Sequence, residues 1–135
     1  MNILTDLVEA VTVVPLITPI NITLSGVYAG TMKDLKPATT RFQEFIVFQI
    51  GTVVDGNYDF QLKESNDQLT NYTDIPNCLV SFSSANSNTN LILPFYRTKR
   101  YLRITGSSAN VTIGGYFAAV CFAQRHRPGG NALVP

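Results

Sequence analysis

The chain carries one histidine, His126, set between Arg125 and Arg127. A Ser–His–Asp relay needs its imidazole held rigidly against a hydroxyl and a carboxylate, and the segment RHRPGG offers no frame for that. Zinc needs several His or Cys ligands, and His126, Cys78 and Cys121 are too few. Glu64 and Asp67 flank a polar loop whose spacing supplies too few oxygens for calcium. The plainer reading is a turn in which Asn66 or Asp67 bonds its own backbone. Gly114-Gly115 lies inside a β run and opens no phosphate-binding helix. The sequence predicts no enzyme, no metal site and no cofactor.

The remaining chemistry is cationic. Arg97, Lys99, Arg100 and Arg103 are interleaved with Tyr96 and Tyr101, a pattern that can stack and clamp single-stranded nucleic acid. A pI of 7.8 is low for a dedicated nucleic-acid binder, and nucleic acid is not the expected partner. These cations are read as a strand facing solvent or a protein partner. Charge is also uneven along the chain. Residues 1–74 hold four Lys/Arg against nine Asp/Glu, and residues 75–135 hold six against none. Opposite charges can therefore pair between the halves of one fold, or between neighbouring copies.

The elements that must carry these residues are short β runs. In a chain of 135 residues with 14% charged residues, one domain with a surface rich in Ser, Thr, Asn and Gln is expected. Residues 58–64 alternate, with Tyr58, Phe60 and Leu62 inward. Residues 42–50 form the strongest strand, apolar on one face and half apolar on the other, which implies a central position. Asp55-Gly56 is a favourable hairpin turn and is expected to join these two strands. Residues 20–29 read as a first strand broken at Gly26, residues 78–82 as another, and residues 83–90 as an exposed loop. Pro94 marks residues 91–96 as an edge strand. TKRYLRI, residues 98–104, precedes a GSSAN turn, and residues 111–124 form a last strand bent at Gly114-Gly115.

The fold class predicted is all-β, an antiparallel β-sandwich of jelly-roll or Ig-like type. Residues 1–20 are expected to be an extended N-terminal arm, because Pro15 and Pro19 punctuate an apolar, β-branched run. Residues 21–124 would be the sandwich and 125–135 a basic tail. No run is long enough to span a bilayer. MNILTDLVEA shows no secretory leader pattern, so Cys78 and Cys121 are expected as reduced, buried thiols.

Four segments in order carry a resemblance: KESND at residues 63–67, Tyr72 to Ile75, Thr98 to Arg103, and RHRP at 125–128. Together they resemble a family of small tailed-bacteriophage virion proteins, usually encoded among the head genes. Lys63 stands where Gln is common in that family. The resemblance covers about residues 42–128 and leaves the N-terminal segment out. It implies a structural protein of the virion, a capsid decoration or cement protein bound to the major capsid protein, and a homo-oligomer in trimeric form. Alternatives are a head–tail junction or fibre component, or a carbohydrate-binding module using Tyr28, Tyr58, Tyr72, Tyr96 or Tyr101. The expected partner-binding residues are Val13, Leu16, Ile17 and Ile20 on the arm, then Arg97, Lys99, Arg100 and Arg103, then Arg125 and Arg127 on the tail.

Overall fold

The computed structural model describes residues 11–37 and 43–124. In chain order the strands are β1 (Val11–Ile22), β2 (Gly26–Ala29), β3 (Lys33–Asp34), β4 (Glu44–Val53), β5 (Asn57–Ser65) and β6 (Thr73–Phe82). A 3₁₀ turn at Ser84–Asn86 precedes β7 (Thr89–Phe95), β8 (Tyr101–Ala109) and β9 (Gly115–Gln124). Period-two alternation decides which side chains enter the core. Tyr58, Phe60 and Leu62 of β5 are no more than 1% exposed, and Leu102 and Ile104 of β8 are fully covered. Asp59, Gln61 and Lys63, and Tyr101 and Arg103, alternate to the outside of the same two strands.

Strands β1, β9, β4 and β7 form sheet A in that order, and β2, β8, β5 and β6 form sheet B, with β3 added beside β8. Every pairing is antiparallel and the pairings are nested: β1 with β9, β2 with β8, β4 with β7, β5 with β6. A ribbon wound this way over two packed sheets is a jelly roll. The predicted antiparallel sandwich is thus found in its jelly-roll form. Between the sheets, the Tyr58 and Phe117 ring centroids lie 4.6 Å apart, and those of Phe60 and Phe117 5.3 Å. Glycine is required opposite this cluster, since a Cβ on Gly106 would sit 2.7 Å from the Phe60 ring.

Several expectations are corrected. Residues 11–20 are not an arm apart from the sandwich; they belong to β1, paired along β9. Its prolines are tolerated because β1 is an edge strand, where an absent N–H breaks no ladder. Register shifts between Pro15 and Ile17 and between Ile17 and Ile20 let Leu16 and Ile17 both turn inward, each 0% exposed. Residues 1–10 and 125–135 lie outside the described residues, as does Phe42. The expected 20–29 strand is two strands in different sheets, β1 and β2. Asp55-Gly56 is no hairpin turn either, since β4 lies in sheet A and β5 in sheet B. The expected 106–110 turn is the continuation of β8, and residues 111–114 form a corner ahead of β9. Residues 83–90 hold the 3₁₀ turn and the start of β7 rather than a plain loop.

The crossing at Asp55 has a definite cause. Its carboxylate accepts the backbone N–H groups of Thr112, Ile113 and Gly114 at 2.9–3.1 Å. Gly114 holds φ +112°, and a Cβ there would meet the Ile22 carbonyl oxygen. Asp55 thereby ties the β4–β5 crossing to the β8–β9 corner. Those N–H groups hold its carboxyl below the usual carboxylate range, the Gly114 bond contributing most.

The placement of β1 gives a sharp test. Leu16→Ala should cost about 2–5 kcal/mol in urea unfolding, as for other fully buried leucines. Thr18→Ala, exposed on the same strand, should stay within about 0.5 kcal/mol of the parent. Equal, small effects from both would mean that β1 does not contribute to the core.

Candidate functional site

The predicted cationic cluster separates into buried and exposed members. Arg97 is 6% exposed and uses all five guanidinium N–H groups internally. Its Nε and one terminal nitrogen donate to the two Glu44 oxygens at 2.7 and 3.1 Å. The rest donate to the carbonyls of Leu35, Lys36 and Lys99. Glu44 Oε2 also accepts the Gln124 N–H at 3.0 Å. Arg97 is therefore a clamp joining β4, β9 and the segments on either side, and it is not available to a partner. Leu16 and Ile17 are corrected on the same ground, as both are sealed in the core. Ile20 is half-buried and packs against the core edge.

Glu64, at the end of β5, serves the same corner. Its carboxylate accepts the N–H groups of Thr98 and Lys99 at 2.8 and 3.1 Å, while Asn66 accepts that of Arg100. Lys99 reaches Thr73 Oγ1, and the Arg103 guanidinium lies 5.7 Å from the Tyr72 ring centroid. Three of the motif segments behind the resemblance thus meet at one end of the sandwich. Arg100 lies over Tyr101 and pairs in a fork with Asp34 at 2.6 and 2.7 Å. That hydrogen bonding holds the Asp34 carboxyl well below the usual range, and it raises the Arg100 pKa. The acidic and basic halves of the chain accordingly pair within the fold, through Arg97–Glu44 and Arg100–Asp34. Lys99 and Arg103 remain partly exposed. Arg125 and Arg127 lie outside the described residues.

The two outer faces of the sandwich differ in kind. On sheet B, Lys63 pairs with Asp74 at 2.9 Å and Ser81 donates to Asp59, with Gln61, Thr105 and Ser107 between them. On sheet A, opposed residues share a face and form cross-strand rows. One row is Val13, Phe122, Phe45 and Pro94; the next is Pro15, Val120, Val47 and Ile92. Phe45 and Phe122 stack with centroids 4.9 Å apart and planes 13° from parallel. A third row sets Ala118 beside the polar, uncharged Gln49 and Asn90, and Asn21 and Tyr116 follow. Val13, Ile92 and Tyr116 are 55%, 63% and 55% exposed. Among the described residues this face carries no charge.

Val13, expected from the sequence as a binding residue, lies on this face; Phe45, Val47, Ile92, Val120 and Phe122 share the face and were not singled out. Their signal was present in the half-apolar second faces of β4 and β9. Among the described residues no group of His, Cys, Asp and Glu could hold a metal ion, and no helix is long and apolar enough to cross a membrane. Cys78 and Cys121 are free and buried, and burial raises both thiol pKa values, that of Cys121 strongly. Compared with protein-family models and with curated proteins, the chain matches none.

The corner generates two predictions. Arg97→Met leaves Glu44 buried without its cation and should cost about 3–5 kcal/mol. Lys99→Met removes a partly exposed charge and should cost less than about 1 kcal/mol. Urea titrations of both variants check the contrast. For acid, Asp34 and Asp55 have folded pKa values below their unfolded ones. Their stabilisation is present above about pH 4 and is lost as pH falls through the lowered values. Thermal melts from neutral to strongly acidic pH should show this fall, and Asp34→Asn and Asp55→Asn should each flatten it.

Proposed function

We propose that the chain is a structural, non-catalytic protein of a tailed-bacteriophage virion, a capsid decoration or cement protein that binds and stabilises the shell of major capsid protein. Its place is on the assembled head, as a homo-oligomer, with a trimer the form that the motif resemblance favours. The observation that carries the reading is the uncharged, largely apolar outer face of sheet A, set against a charge-paired outer face on sheet B. A chain with so few charges spends them on its own corners and on one face, and leaves the other suited to contact with protein. The jelly roll is compatible with this role and with many others; the face supports a protein contact, and the ordered motifs supply the virion as its setting.

A carbohydrate-binding role has weaker support. Tyr58 is fully buried, and Tyr72 and Tyr101 are each overlain by an arginine, which leaves Tyr96 as the one highly exposed ring of the five.

The test uses empty shells of the cognate head, stripped of accessory proteins. The full chain should co-sediment with them at a fixed ratio to the capsid subunit and raise the shell's melting temperature, because a ligand that binds only the intact state stabilises it. No co-sedimentation at either low or high salt would rule the reading out.

A further inference from the structure

We infer that the outer face of sheet A is the contact between copies of this chain, two copies covering each other's face. This deepens the proposed function by naming the occupant of the face that supports it; a face that pairs with itself is two-fold, so the oligomer is a dimer or is built from dimers, in place of the trimer that the motif resemblance implies.

Size is the first argument. The face spans four strands of seven to twelve residues. At about 3.3 Å per residue and about 4.8 Å between strands it presents on the order of 600 Å². Two such faces brought together remove on the order of 1,200 Å², the lower bound of a standard stable interface.

Charge is the second. A surface shaped to a partner of defined charge carries the opposite charge. This face carries none among the described residues, so it discriminates against charged surfaces and suits another like itself. The chain's own sheet A is such a surface, equal in extent, equally uncharged and twisted in the same sense. Sheets A and B already pack face to face inside each copy, and twisted sheets in general do so at about 10 Å.

Relief is the third. The middle of the face is low, with Ala118 8% exposed and Val47 and Val120 half-buried. Val13, Ile92 and Tyr116 stand higher around it. Raised apolar side chains on one copy have a recessed apolar floor to enter on the other. The outer face of sheet B also bears raised apolar side chains, Val27 and Leu79, but the hollow between them is lined by Asp59, Gln61 and the Lys63–Asp74 pair, so its floor is charged where that of sheet A is apolar.

The experiment measures the solution mass of the full chain by light scattering and sedimentation. The wild type should be an even multiple of 14.8 kDa. Ile92→Lys and Tyr116→Lys alter side chains exposed in the single copy, so far-UV circular dichroism should confirm that both fold. Each should weaken self-association by about 100-fold or more, because an ammonium would be buried without a partner. Leu79→Lys, exposed on sheet B, should leave the mass unchanged. A monomeric or trimeric wild type overturns the inference, and so do folded variants that keep the wild-type mass. If those variants keep their mass but no longer bind shells, the face belongs to the shell contact; the inference falls and the proposed function stands. If they become monomers while the wild-type oligomer never binds shells, the inference stands and the proposed function falls.

Discussion

The buried pair of Arg97 and Glu44 is the constraint on which this sandwich turns. An ion pair sealed from water is no stability gain in itself, since desolvation of both partners offsets their attraction. Its effect here is on uniqueness. Five donors of one guanidinium and both oxygens of one carboxylate are all engaged, across β4, β9 and the segments that carry Leu35, Lys36 and Lys99. Any arrangement that moves one of these elements leaves a buried charge or a buried carbonyl unsatisfied. Glu64 repeats the device one layer away, fixing residues 98 and 99 by their backbone N–H groups.

At the opposite end of the sandwich a single carboxylate does comparable work. Asp55 gathers the N–H groups of residues 112–114 and so turns an Asp-Gly pair into a crossing between sheets. The local sequence could not reveal this. Asp-Gly satisfies the φ requirement of a tight hairpin, and the groups that decide otherwise lie more than fifty residues away. The same limit applies to Arg97. Its spacing among other cations is what a surface strand would show, and the acid that buries it stands 53 positions earlier.

What the sequence did reveal follows from short-range periodicity. The inward sets Tyr58, Phe60, Leu62 and Leu102, Ile104 are read from alternation alone, and Pro94 correctly marked β7 as an edge. Pro15 and Pro19 gave the right physical signal and the wrong element. Missing N–H groups mean that no neighbour pairs on that side, which is as true of an edge strand as of a free arm. Deciding between them requires knowing that Leu16 and Ile17 both find the core, and that depends on two register shifts without a signature in residue type.

The apolar outer face of sheet A carries a hidden cost in specificity. A strand with one polar and one apolar face resists slipping, because a one-residue shift would drown its apolar set. β4 presents Phe45 and Val47 outward and Ile46 and Phe48 inward, so that resistance is weak where the face is strongest. The polar residues at the ends of the strand supply what the pattern does not. A one-residue slip would carry Glu44 to the outer face, away from Arg97 and the Gln124 N–H. It would also dislodge Val53 from Ser87, whose hydroxyl bonds both its N–H and its carbonyl. An apolar face on the outside of a sheet therefore requires a polar lock at each end of the strand. The buried ion pair and the uncharged outer face are two consequences of the same design, one making the other compatible with a single register.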